Sequence, residues 1–196
     1  MRKWKRVQTA DGARFVSALE PHEVALLKNM ATSVQEMLDD RQSAAPSDPL
    51  EQITGIRTGN PKPPDDATMR RMLPDFVKDG GKEGNAGTEG RDDSNGALRS
   101  LHEPQIIDAK IAAAQRLLDT LPDGGGRLEL TEDDAHAWIG AVNDIRLTLG
   151  TILEIGPDVP ERLPAGHPMA THLEVYGWLT VLQEYLVLGL MGNTIR

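Results

Sequence analysis

One stretch, Leu98 to Ile155, constrains the fold more than any other, because each of its local signals agrees with the next. A helix is expected to begin near Pro104, whose missing N–H costs nothing in a first helical turn. Ile107, Ile111, Ala114, Leu118 and Leu121 then recur at alternating spacings of four and three, which gives one apolar stripe. Pro122 and the run Gly124-Gly125-Gly126 stop it. Leu128 and Leu130 alternate with Arg127 and Glu129, as in a half-buried strand. Thr131 is a good N-cap, and Glu132, Asp133 and Asp134 place negative charge where the helix dipole favours it. Trp138, Val142, Ile145, Leu149 and Ile152 form the second stripe. Nothing in this scaffold is a chemical motif.

The rest of the chain supplies neighbours for it. Trp4–Gln8 and Arg14–Ala18 are strand-like and flank Ala10-Asp11-Gly12, a strong hairpin signal. The strand near 127–130 is expected to add to this hairpin. Glu20-Pro21 opens a long helix with Val24, Leu27, Ala31, Val34 and Leu38 on its stripe, widened by Leu26, Met30 and Met37. Pro49 to Ile56 suggests a turn or two of helix, followed by a stiff connector from Arg57 to Pro64. Asp65-Asp66 caps a short helix carrying Met69, Met72 and Leu73, with Arg70-Arg71 on its outer side. From Lys78 to Gly96 every large apolar residue is missing, so a disordered, glycine-rich insertion is expected at about 78–96. His167-Pro168 begins a last helix to about Met191, apolar nearly all round, which places it centrally in the core or in an oligomer interface such as a homodimer. The expected fold is mostly α (α+β), a helical bundle with a small antiparallel sheet. The 196 residues are expected to form a single domain around one core.

Charge and composition narrow the function. A net charge of -9 works against a broad phosphate-binding face and favours a protein partner over nucleic acid. The densest positive charge is Arg2, Lys3, Lys5 and Arg6, a candidate contact for nucleic acid or an acidic partner. The same residues also serve as charges that protect a strand edge. With no cysteine, the chain itself makes no disulfide, thiolate nucleophile or sulfur-ligated metal site. The five histidines, at 22, 102, 136, 167 and 172, lack the spacing of a helical zinc site, so neither metal nor cofactor is expected. His136 beside Glu132-Asp133-Asp134 has the residue types for acid–base chemistry, but dipole compensation explains the acids more simply. No phosphate-binding glycine fingerprint or nucleophile elbow is present, and no enzyme activity is expected. For DNA, helix 104–121 offers only Lys110 and Arg116, and helix 132–153 only Arg146. Lacking a long apolar span or a signal-like N-terminal segment, the chain is expected in the cytoplasm.

Several short words carry a resemblance. Leu101-His102-Glu103-Pro104, Ile106-Ile107-Asp108-Ala109-Lys110, Leu130-Thr131-Glu132, Ala137-Trp138 and Asn143-Asp144-Ile145-Arg146-Leu147 resemble the actinobacterial AosR family, first catalogued as a domain of unknown function. The likeness extends to the opening hairpin, to Arg57-Thr58-Gly59 with Pro63-Pro64-Asp65, and to His172-Leu173, Tyr176 and Trp178-Leu179-Thr180. The resemblance implies a regulator of the oxidative-stress response that acts on transcription with an alternative sigma factor. The described member of that family senses oxidants through a CxxxC pair. This chain has no cysteine, so none of its residues takes that role.

Overall fold

The computed structural model describes residues 4–46, 51, 53, 55, 57–77, 88–156 and 166–192. Strands β1 (Lys5–Thr9) and β2 (Gly12–Leu19) form the opening hairpin, and β3 (Gly126–Leu130) joins β2 from the other side. All pairs are antiparallel in the order β1-β2-β3, with Phe15 opposite Leu130 and Val7 opposite Arg14. The hairpin closes where Gly12 takes φ +108°, a conformation that glycine adopts without a Cβ penalty. The central strand alternates as its sequence requires: Ala13, Phe15, Ser17 and Leu19 point into the core. The three glycines before β3 also need their residue type, with φ of +132°, +94° and +116° at 124, 125 and 126. A Cβ at Gly125 would stand 2.8 Å from the backbone nitrogen of Pro21, so the turn lies directly on the β2–α1 junction.

Helix α1 (Pro21–Ser43) starts in a capping box, in which the side chain of Glu23 accepts the Glu20 N–H at 2.9 Å. Its expected stripe, Val24, Leu27, Ala31, Val34 and Leu38, is buried throughout. Helix α2 (Ala67–Met72) is capped by Asp66, which accepts the Met69 N–H at 2.8 Å. Helices α3 (Thr88–Thr120), α4 (Glu132–Ile152) and α5 (Ala170–Leu190) complete the described elements. Helix α4 is the axis of the described helices: α1, α2, α3 and α5 all pack on it. At its centre Trp138 is fully buried, donates its indole N–H to Thr120 Oγ1 at 2.7 Å, and meets Trp4 edge-on at 6.0 Å. Core residues run from Trp4 to Leu186, so both ends of the chain contribute to one apolar cluster.

Four expectations need correction. Helix α3 begins at Thr88, not near Pro104, and Pro104 lies inside it. Positions 88–96, expected as part of a disordered insertion, are therefore helix, and Asn95 there is buried and bonded to both the N–H and the carbonyl of Val77. The remainder, 78–87, lies outside the described residues. The α3 stripe packs on the core as expected, with Leu118 half-buried and its neighbour Leu117 fully buried beside it, but Ile152 at the end of α4 is 59% exposed. Helix α5 is not central. Leu179, Leu182 and Leu186 face the core, while Val181, Val187 and Met191 stay in solvent.

Candidate functional site

A proline inside a helix removes the N–H that would bond the carbonyl one turn back, and its ring crowds that carbonyl. For Pro104 the stranded acceptor is Ser100 O, which takes the Gly59 N–H at 2.7 Å from the connecting loop. The Ser100 hydroxyl returns a bond to Gly59 O at 3.3 Å. Only glycine fits this approach, because a Cβ at residue 59 would lie 2.9 Å from Pro104 Cδ and 3.3 Å from Arg99 O. The Arg57-Thr58-Gly59 and Glu103-Pro104 words are thus two halves of one joint.

Around this joint lies a chain of charges. Arg99 and Glu103, one turn apart on α3, are 1% and 2% exposed. Glu103 accepts from Arg99 Nη1 at 2.8 Å on one oxygen and from Arg41 Nε at 2.7 Å on the other. Arg99 also donates to Asp75 at 2.7 Å and to Leu73 O at 3.2 Å. Arg41 reaches Lys62 O at 2.5 Å, and Arg57 pairs with Asp108, which also accepts from Gln42 at 3.0 Å. Buried charges persist only when paired and hydrogen-bonded, and both oxygens of Glu103 are occupied by guanidinium groups. The cluster ties the end of α1, the exit of α2 and the 57–64 connector to α3. A cleft of about 290 Å³ opens beside it, lined by Arg41, Gln42, Arg57, Glu103 and Pro104 among others. This arrangement holds surfaces in place, and both oxygens of its buried carboxylate, Glu103, are taken by guanidinium groups.

The described residues among those singled out from the sequence do not form one cluster. Lys5 and Arg6 lie on β1, an edge strand exposed along its whole length, while Arg2 and Lys3 fall outside the described residues. His136 is exposed, with Nδ1 2.8 Å from Glu132 O. Of the neighbouring acids, Glu132 and Asp133 face solvent, while Asp134 turns back to close a capping box with Thr131 and pairs with Arg116. Burial pushes the Asp134 carboxyl up, but bonds from Thr131 and the Arg116 guanidinium outweigh it and hold the group below its ordinary value. His167 Nδ1 lies 3.2 Å from the Met169 N–H at the start of α5. Among the described residues no group of His, Asp or Glu converges as metal ligands would, and no helix is long and apolar enough to cross a membrane.

The cations considered for DNA reading are engaged with the protein. Lys110 binds the buried Asp144 at 2.6 Å, and Arg116 binds Asp134. Burial drives the Asp144 carboxyl upward, and Lys110 offsets only part of that. Arg146 donates to Thr180 at 3.1 Å and to Gln183, and its guanidinium lies 5.3 Å from the Tyr176 ring centroid. Sequence reasoning missed Arg41, Arg99, Glu103 and the role of Gly59. Its one available signal was the Arg-to-Glu spacing of four on α3, a pattern usually solvent-facing.

The fold is thus a helical bundle on a three-stranded sheet, joined at Pro104 by a loop glycine and a buried charge chain. The chain belongs to the family described as Domain of unknown function (DUF2017), whose model matches residues 1–190. Among curated relatives, proteins named Oxidative stress regulator AosR from Mycobacterium bovis and Mycobacterium tuberculosis are 63% identical over 195 residues, covering 98% of this chain and 89% of theirs. The Mycobacterium leprae protein named Putative oxidative stress regulator AosR is 59% identical over the same length, with 90% of it covered. No solved structure matches.

Proposed function

We propose that this protein regulates the oxidative-stress response in the cytoplasm and works on transcription through a protein partner, an alternative sigma factor or an RNA polymerase subunit. The observation that carries this reading is the 63% identity, over 98% of the chain, to proteins named as oxidative stress regulators. Three features support the partner route. The net charge is -9, which repels a phosphate backbone at long range. Lys110, Arg116 and Arg146 are spent on internal partners rather than offered to a groove. Val181 and Val187 on helix α5 and Met191 at its C-cap are exposed apolar side chains available to a partner. Because the chain has no cysteine, thiol chemistry with an oxidant falls to the partner or to a protein upstream.

The test is affinity capture of the full chain at native expression from cells treated with an oxidant. Recovery of a sigma factor or polymerase subunit is expected. Capture that repeatedly returns neither, together with a saturable mobility shift of promoter DNA by the purified chain at low salt, would refute the partner route.

A further inference from the structure

Arg70 and Arg71, unremarkable as neighbours in sequence, meet a third guanidinium in space. A cleft of about 550 Å³ between α2, the end of α4 and α5 is lined by Arg70, Arg71, Arg146, Thr151, Glu154 and Tyr176 among others. Its size falls within the range of small-molecule sites, roughly 300–1,000 Å³. On a chain of net charge -9, this is a local concentration of positive charge in a concave place. The guanidiniums are set differently. Arg70 commits Nε and Nη2 to Pro64 O, both at 3.1 Å, which leaves Nη1. Arg146 commits Nε to Thr180 and Nη1 to Gln183, and stands against the Tyr176 ring, which leaves Nη2. Arg71 is exposed and has no hydrogen-bond or ion-pair partner among the described residues. Two arginines are thus held by backbone and side-chain bonds, and the third is free to close on a ligand. Among the described residues that line it Glu154 is the single acid, so this wall keeps a positive excess. Leu147, Ile155, Ala67 and the Tyr176 ring supply an apolar side.

We propose that this cleft binds a small oxyanion, a phosphoryl or carboxylate group carried on a compact apolar body, with Arg71 as the contacting cation and Arg70 and Arg146 as its fixed background. Planar guanidiniums match both oxyanions by paired N–H donation, and fixed ones lose little freedom on binding. The ligand would bridge α2 to the α4–α5 pair, and its occupancy would be read across the helices that carry the apolar α5 face.

Calorimetric titration of the full chain at low ionic strength, with inorganic pyrophosphate in one arm and citrate in the other, tests this. Saturable one-to-one binding is expected in at least one arm, and the responding arm assigns phosphoryl or carboxylate. Arg71→Glu is expected to weaken it by at least about tenfold, Arg71→Lys to restore part of it, and Glu154→Gln to tighten it. Lys28→Glu, a charge reversal on the outer side of α1, is expected to leave it nearly unchanged. Absence of saturation in both arms overturns the proposal. So does equal weakening by Arg71→Glu and Lys28→Glu, which would reduce the effect to net charge. Arg71 is exposed and its side chain bonds to no other described residue, so its variants are expected to unfold at the parent temperature, and the titration reads binding alone.

Discussion

Replacing Gly59 by alanine tests whether the joint at Pro104 is as tight as its geometry states. The added Cβ would stand 2.9 Å from Pro104 Cδ, 3.1 Å from Cγ and 3.3 Å from the Arg99 carbonyl. None of these atoms is the end of a flexible side chain. If the loop stays in place, overpacking costs about 1–3 kcal/mol. If it withdraws, the 2.7 Å bond from Gly59 to Ser100 O is lost, and that carbonyl has no helical donor because residue 104 is proline. An orphaned carbonyl there also costs about 1–3 kcal/mol. The two costs are alternatives, since relieving one incurs the other, so the expected loss is about 1–3 kcal/mol rather than their sum. Pro104→Ala removes Cδ and Cγ and restores a helical N–H toward Ser100 O. Proline to alanine inside a helix ordinarily gains up to about 3 kcal/mol, but here Gly59 already fills the vacancy, and a gain below about 1 kcal/mol is expected. In the double variant the alanine at 59 has room on the proline side, and much of its cost disappears. The pair should therefore couple by about 1–2 kcal/mol. Urea titration followed by tryptophan fluorescence and far-UV circular dichroism measures all four corners of the cycle. Costs that simply add, or a Gly59→Ala midpoint equal to the parent's, would refute the reasoning.

Two further expectations concern acids in α4. Asp134 has a folded pKa below its ordinary value of 3.8, so the stability it contributes is fully present above that pH and is lost as pH falls through the folded value. Asp144 has the opposite sign: its folded pKa is raised, so stability falls as pH rises from the ordinary carboxylate value through the folded one. At pH 7, Asp134→Asn is thus expected to lower stability by about 0.5–2 kcal/mol, the range of a lost cap, while Asp144→Asn leaves it equal or higher; urea midpoints decide. At the other end of α4, Glu154 has φ +51° and closes a Schellman turn, in which Ile155 N–H bonds Gly150 O at 2.8 Å. Glu154→Gly is expected to raise stability by about 0.5–1 kcal/mol, read as a higher melting temperature, and a lower one would contradict the assigned turn.

What the sequence by itself determined is everything decided within a turn or so of each residue. The Thr131 cap, the helix opening at Glu20-Pro21, the Asp66 cap, the Gly12 and Gly124–Gly126 turns and the stripe of α1 were all legible, because each depends on neighbours a few positions away. The family words were legible too, although not their meaning. The tertiary structure alone decided the rest. Pro104 reads locally as a helix start, and it sits inside α3 because Gly59, distant in sequence, donates the hydrogen bond that proline cannot. Arg99 and Glu103, one turn apart on α3, are buried because Arg41 and Asp75 arrive from other elements to share their charge. Arg70, Arg71 and Arg146 become one cleft only when α2 and α5 both dock on α4. Local hydrogen bonds and glycine conformations are encoded by nearest neighbours; the partner of a missing donor or a buried charge comes from wherever the folded chain brings one.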